Sequence, residues 1–241
     1  MKEHKKQEDA TPWKIATGIF AALFLATLFI FSTNEETVQQ QAQQESAAVD
    51  MKIFANDIVK GPVTAPVTII VYSDPSCPYC AAAAGGSEMV AYMQSRSAGY
   101  EAAVPGIIKN YVDKGKVRIV FRYYLGHGRG AEAMNIMLCA NEQGKFWEVH
   151  DLFFNNQNLM NNGNAADVEG LKKLATDNGI DSGKLEACLS SNKYDAKLQN
   201  DMQLGKASGV SGTPAFAVNG KLVVGAQPFS ALKAVIDAEL S

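Results

Sequence analysis

The sequence predicts an α/β fold with the element order β-α-β, a helical insert and then β-β-α, preceded by one transmembrane helix. Three observations support this order of elements: a continuous apolar, β-branched run at 67–72 (VTIIVY), a helical stretch rich in Ala, Leu and Lys at about 130–204, and a hairpin pattern at 215–224. A strand that is buried on both faces of a sheet has such an uninterrupted apolar run. We therefore expect one sheet with a helical subdomain inserted into it.

The N-terminal region differs from the rest of the chain. Residues 15–31 carry no charge, and about 17–25 such residues can span a bilayer. Four lysines precede this run, and no Lys or Arg follows it until Lys52, so residues 1–14 are predicted to be cytoplasmic. The prediction is a single-pass cell-membrane anchor, with the rest of the chain extracytoplasmic (periplasmic). The alternative is a cleaved signal peptide, whose apolar region usually has only about 7–15 residues.

Residues 32–51 are polar and rich in Gln, which is typical of a flexible linker between an anchor and a folded domain. The folded domain is predicted over 52–241. The net charge of −3 gives no reason to expect nucleic acid as a partner, because nucleic-acid binding usually requires a basic surface.

The first half of the domain contains the predicted β-α-β unit. After the strand at 67–72, a helix is expected that is interrupted at 85–86 and near Gly99. Apolar residues with helical spacing continue over 104–112, and a second strand is predicted at 117–125. A strand, a crossover helix and a second strand favour a right-handed unit with parallel strands.

The C-terminal segment predicts a hairpin and a final helix. Asn219 and Gly220 separate two short apolar runs, and an Asn-Gly pair suits a type I′ turn. The last predicted helix has an apolar stripe formed by Phe229, Leu232, Val235, Ile236 and Leu240.

A Cys-x-x-Cys motif, Cys77-Pro78-Tyr79-Cys80, lies between the first strand and the following helix. At a helix start the Cys77 sulfur lies near unpaired backbone N–H groups, which favour the thiolate, the attacking species. Pro78 suits the first helical turn, where its missing N–H has no partner to lose. Cys80 lies one turn further and can resolve a mixed disulfide, so the motif predicts redox chemistry.

Two other readings of the motif remain open, a zinc site and an inert disulfide. Zinc would need two further ligands, and Cys139 and Cys188 lack the required spacing. We therefore predict no metal and no cofactor, and favour a redox-active pair over an inert one.

A second motif, Val210-Ser211-Gly212-Thr213-Pro214, stands immediately before the first hairpin strand. Proline is tolerated at the start of a strand, where its missing N–H does not interrupt the ladder. Together with four other segments, this motif resembles the DsbA-like branch of the thioredoxin superfamily from about Asp57 to the C-terminus. Those segments are GPVTAPVTII, CPYC, VRIVFRYY and CANEQGKFWEVHDLFF, and the resemblance continues through GVSGTPAFAVNGKLVVGAQPF.

The resemblance implies a thioredoxin-like fold with Cys77 as nucleophile and Cys80 as resolving cysteine. Pro78 and Tyr79 would tune the motif. Thr213, before a cis-proline at Pro214, would present its backbone to an extended substrate. The implied activity is oxidation of cysteine-containing exported proteins, with reoxidation by a membrane quinone-linked thiol oxidase. The alternatives are a reductase or isomerase kept reduced by a membrane electron carrier, and a non-catalytic peptide-binding chaperone.

The chain departs from the family pattern at two places. Many relatives carry a buried acid six residues before the first cysteine, where this chain has Val71. Asp74 is closer to the motif, and we expect it to cap the turn rather than to shuttle protons. The stretch 81–103 is longer than usual in the family, and a surface excursion is favoured over a substrate surface formed by its residues Met89, Tyr92 and Met93.

The remaining candidates lie in or near the helical insert. A disulfide between Cys139 and Cys188 would stabilise the insert in an oxidising compartment, whereas the alternative is two buried thiols. His127 is interpreted as a loop residue. The aromatic group of Phe146, Trp147 and His150 is interpreted as helix core.

Overall fold

The computed structural model describes residues 49–126, 130–160 and 166–241. The predicted membrane anchor at 15–31 lies outside these residues. Across the three described ranges, no helix is both long enough and apolar enough to cross a membrane.

The described strands form one mixed five-stranded sheet in the order β1-β3-β2-β4-β5. Their bounds are β1 Ile58–Lys60, β2 Val67–Ser73, β3 Val117–Tyr123, β4 Ala215–Val218 and β5 Lys221–Val224. Strands β2 and β3 are parallel, and β1, β4 and β5 each run antiparallel to their neighbours. The sheet confirms the predicted α/β fold and its parallel β-α-β unit.

Helices cover both faces of this sheet and form the insert between β3 and β4. They are α1 Pro78–Ala84, α2 Ser87–Arg96, α3 Ala103–Ile107, α4 Ala131–Asn141, α5 Phe146–Asn155, α6 Val168–Asp177, α7 Ser182–Ser190, α8 Asp195–Ala207 and α9 Phe229–Leu240. Helix α3 continues as a π-helical turn, Ile108–Val112, and a 3₁₀ turn, Gln157–Leu159, follows α5.

Strand β2 lies at the centre of the sheet, and all seven of its residues are buried. Its residue Ile69 pairs with Ile119 of β3 on one side and with Val218 of β4 on the other. Burial on both faces explains why β2 has no polar alternation in the sequence. Strand β1 was not predicted, because a three-residue edge strand gives too short a pattern to recognise.

The two faces of the sheet bury different partners. Ile69 and its same-face neighbours pack with α3 and α9. Tyr72 and the opposite face pack with Val49 and Val210. Helices α4 to α7 form a further core with α1, and this core includes Cys77 and Cys80. The cysteine motif therefore lies where the sheet meets the helical insert.

The segment 81–103 forms the end of α1, all of α2 and the connection to α3. Gly85 has a φ of 98°, a left-handed conformation that ends α1. Helix α2 contributes no fully buried residue, and Tyr92 is 42% exposed. Helix α2 is therefore peripheral to the core, whereas Ala81 and Ala103, at the two ends of the segment, are buried in it.

Candidate active site

Cys77 occupies the position immediately before α1. Its backbone is extended, with φ −85° and ψ 119°, and Pro78 follows as the first helical residue. The Cys77 N–H donates to the Asp74 carbonyl at 3.0 Å, which closes a turn between β2 and α1. The Cys77 sulfur is thereby placed against the start of α1, while its neighbour Tyr79 is 47% exposed.

The two motif cysteines are both buried thiols with opposite acid–base properties. A hydrogen bond from the Cys80 thiol lowers the pKa of Cys77 to about 6, and the backbone N–H groups of Cys80 and Tyr79 act in the same direction against the effect of burial. At neutral pH Cys77 is therefore mainly a thiolate.

Cys80 is the protonated member of the pair. Burial raises the pKa of Cys80, and the neighbouring Cys77 raises it further. The backbone N–H of Asp74 donates to the Cys80 sulfur at 3.4 Å and partly opposes this increase. The site therefore pairs one ionised sulfur with one sulfur that retains its proton.

The loop before β4 faces the motif from the other side. The peptide bond between Thr213 and Pro214 is cis. The Sγ atom of Cys77 lies 3.5 Å from the Thr213 carbonyl oxygen, to which it can donate only in its thiol form, and Pro214 is buried. The structure thus brings Thr213, Cys77 and Cys80 together, whereas their roles in exchange stay predictions.

Cys139 and Cys188 form a disulfide that joins α4 to α7. Both residues are nearly inaccessible, at 2% and 5% exposure. They belong to the same helical core as the motif cysteines. The structure therefore shows the bonded pair rather than two separate thiols.

His150 lies in an aromatic cage within the core. Its ring centroid is 4.7 Å from that of Phe154 and 5.3 Å from that of Phe121. Nδ1 lies 2.8 Å from a carboxylate oxygen of Asp151, and burial lowers the pKa of the imidazole. Phe146 is also buried and Trp147 partly so, and both rings contact His150. His127 lies outside the described residues.

The structure also contains buried charges that the sequence analysis missed. Arg122 on β3 pairs with Asp57 at 2.8 Å, and Lys197 on α8 pairs with Asp57 at 3.2 Å and with Asp201 at 3.0 Å. The four side chains are at most 2% exposed. An arginine within the apolar run VRIVFRYY was the available signal, because a buried guanidinium requires a carboxylate partner.

The fold and this dithiol site, with one ionised sulfur beside a cis-proline loop, define a thioredoxin-type redox site. The family model described as Thioredoxin matches residues 54–95 and 97–238, and the chain belongs to this family.

Comparison with curated proteins and solved structures gives two kinds of relatives. The chain is 31% identical over 183 residues to "Na(+)/H(+) antiporter NhaA 3" of Salinispora tropica, a match that covers 75% of this chain and 24% of the antiporter. It is 25% identical over 191 residues to a protein of Rickettsia bellii named "Putative protein-disulfide oxidoreductase", covering 77% and 66% of the two chains. The chain thus spans only part of these proteins.

The solved structure of α-DsbA1 from Wolbachia pipientis superposes with a TM-score of 0.62 at 22% identity, covering 78% of this chain and 92% of that one. This likeness confirms the predicted thioredoxin-like fold.

Proposed function

We propose that this protein is a thiol–disulfide oxidoreductase that oxidises cysteine pairs of exported proteins through a Cys77–Cys80 disulfide. The observation that carries the proposal is the asymmetry of the pair. The pKa of Cys77 is lowered to about 6, whereas that of Cys80 is raised by burial. The relatives named as protein-disulfide oxidoreductases support the same class of reaction.

The reaction begins with the pair in its disulfide form. A substrate thiolate attacks the Cys77 sulfur, the Cys77–Cys80 bond breaks, and Cys80 leaves and takes up a proton. A second substrate thiolate then attacks the substrate sulfur of the mixed disulfide, and Cys77 leaves as a thiolate. The substrate loses two electrons and gains a disulfide, and the protein retains a thiolate and a thiol.

The ionisation of Cys77 favours this direction of electron flow. A low thiol pKa makes Cys77 a good leaving group in the second step and stabilises the reduced form of the pair. Stabilising the reduced form makes the disulfide a stronger oxidant. The pKa of about 6 lies well below the ordinary thiol value of 9.0.

Substrate binding is assigned to the loop that carries Thr213 and Pro214. An extended peptide can add to the exposed backbone of such a loop by strand pairing, and its cysteine would then lie beside Cys77. The exposed ring of Tyr79 provides apolar contact at the same edge.

The proposed location is extracytoplasmic, with residues 15–31 as a single-pass anchor and the N-terminus in the cytoplasm. The disulfide between Cys139 and Cys188 supports this location, because disulfides persist in oxidising compartments. A membrane quinone-linked thiol oxidase is the proposed partner that restores the Cys77–Cys80 disulfide.

The first test is the reduction potential of the full-length protein in graded glutathione buffers, together with the rate at which it oxidises a dithiol peptide. The double variant Cys77→Ser/Cys80→Ser is the control. A potential near −120 mV, about that of DsbA, with turnover lost in the variant, supports an oxidase. A potential near −270 mV, about that of thioredoxin, would contradict the oxidase and favour a reductase or isomerase. Peptide binding without turnover by the wild type would favour a chaperone.

The anchor has its own test. Full-length protein should remain with membranes after alkaline carbonate washing, and protease added outside the cytoplasmic membrane should digest the catalytic domain. Release of a mature protein that begins near Val49 would show that the N-terminal segment is a cleaved signal peptide and not an anchor.

A further inference from the structure

We propose that Asp74 is a positioning residue for thiol–disulfide exchange: its carboxylate holds together the turn before Cys77 and the loop that follows β3, and so sets the distance between Cys77 and Thr213. This inference rests on the proposed function. Asp74 lies between β2 and α1 and is fully buried, at 0% exposure.

The carboxylate of Asp74 accepts hydrogen bonds from two separate loops. Oδ1 accepts from the backbone N–H of Ser76 at 2.8 Å and from the Ser76 hydroxyl at 2.7 Å. Oδ2 accepts from the backbone N–H of Gly126 at 2.6 Å. A buried carboxylate is tolerated only when donors satisfy it, so these contacts fix Asp74 in place.

Two glycines that follow β3, Gly126 and Gly130, lie closely against Asp74, and Gly126 also lies against Thr213. A Cβ built on Gly130 would lie 1.9 Å from Oδ1 of Asp74. A Cβ built on Gly126 would lie 2.4 Å from Oγ1 of Thr213 and 3.3 Å from Oδ2 of Asp74. A side chain at either position would displace Asp74 or Thr213. Gly126 thus lies between the carboxylate and the residue that contacts Cys77.

The backbone of Asp74 also contacts the redox pair directly. Its N–H donates to the Cys80 sulfur at 3.4 Å, while its carboxylate holds Ser76, the residue before Cys77. Asp74 therefore connects three parts of the site, namely Cys80, the start of α1 and the loop against Thr213. Because both oxygens already accept hydrogen bonds, the carboxylate has a positioning role here, which agrees with the turn-capping role expected from the sequence.

The test compares Asp74→Asn and Ser76→Ala with Asp113→Asn in the reduced full-length protein. Asparagine keeps the shape of the side chain but replaces one carboxylate oxygen with an NH₂ group, which cannot accept a hydrogen bond from a backbone N–H. Ser76→Ala removes only the hydroxyl donor. Asp113 is an exposed carboxylate in the turn before β3, so its variant is a charge-matched control. Thiolate absorbance against pH reports the Cys77 pKa without any substrate.

We expect the Cys77 pKa to rise from about 6 to about 7 or higher in Asp74→Asn, because the donors around the sulfur lose their alignment. Ser76→Ala should move it in the same direction by less, and Asp113→Asn should leave it unchanged. Peptide oxidation by Asp74→Asn should slow by about tenfold or more, since misplacement of about 1 Å can cost that much.

An unchanged pKa in Asp74→Asn, with only a loss of stability, would overturn the proposal. A lowered pKa would also overturn it, because it would mean that Asp74 acts by its charge alone. If Asp74→Asn does not fold, the titration of Ser76→Ala tests the proposal instead, and an unchanged Cys77 pKa in that variant would overturn it. An inactive wild type with the expected pKa changes would contradict the proposed function but not this positioning role.

Discussion

The Sγ atom of Cys77 lies 3.5 Å from the carbonyl oxygen of Thr213, although 136 positions separate the two residues in the chain. Strands β2 and β4 produce this proximity, because they are hydrogen-bonded neighbours at the centre of the sheet. The turn that follows β2 and the segment that precedes β4 therefore meet at the same end of these two strands. This contact lies at the centre of the proposed redox site.

The stability of the reduced protein should depend on pH through Cys77. Its folded pKa of about 6 lies below its ordinary value of 9.0, so between these values the unfolded chain binds more protons. The low pKa of Cys77 contributes up to about 4 kcal/mol to the free energy of unfolding. This contribution is fully present above pH 9 and is lost as the pH falls to about 6. Urea unfolding of reduced and oxidised protein at several pH values measures it. Since the oxidised pair does not titrate, an equal slope in both forms would contradict the assignment.

The Cys139–Cys188 disulfide should stabilise the fold without tuning the redox site. It closes a loop with a sequence separation of 49 between α4 and α7. Replacing both cysteines by alanine should lower the free energy of unfolding by about 2–4 kcal/mol. The Cys77 pKa, measured by thiolate absorbance, should remain at about 6. A shifted pKa in this variant would show that the disulfide also positions the motif.

His150 should make the protein less stable in mild acid. Burial lowers the pKa of His150 below its ordinary value of 6.5. Just below that pH, His150 therefore binds a proton more readily in the unfolded chain than in the folded protein. Stability should therefore fall as pH decreases below about 6.5. His150→Phe keeps the aromatic packing with Phe121 and Phe154 and should flatten this slope. Thermal unfolding between pH 5 and 7 compares the two proteins.

The parts of the fold that depend on neighbouring residues could be predicted from the sequence, whereas long-range polar contacts could not. Cys77 and Cys80 lie within one helical turn, and their placement after an apolar strand was sufficient to predict a redox pair. Lys197 and Asp57 are 140 positions apart, and no local pattern indicates that they meet. The contact between Asp74 and Gly126 is hidden for the same reason, because it depends on a loop conformation after β3.

The buried charges on the sheet should be necessary for stability. Asp57 forms ion pairs with both Arg122 and Lys197. In Asp57→Asn these two buried cations keep Asp201 as the remaining carboxylate of the cluster. Loss of one partner from a buried pair costs about 3–5 kcal/mol, which should appear in urea unfolding. The matched control is Asp50→Asn, an exposed carboxylate nearby, which should change stability by less than about 0.5 kcal/mol. Equal effects of the two variants would show that the cluster contributes no more than a surface charge.

Gly126 should tune the redox site although it carries no side chain. A methyl group there would lie 2.4 Å from the Thr213 hydroxyl oxygen, so the Thr213 side chain must shift in Gly126→Ala. Because a hydrogen bond from Thr213 helps to lower the Cys77 pKa, that pKa should rise above about 6. Gly212→Ala adds the same methyl group beside Thr213 where it meets nothing within 4 Å, and its reduced protein should titrate like wild type. Equal titration curves for all three proteins would mean that the position of the Thr213 side chain does not affect the Cys77 pKa.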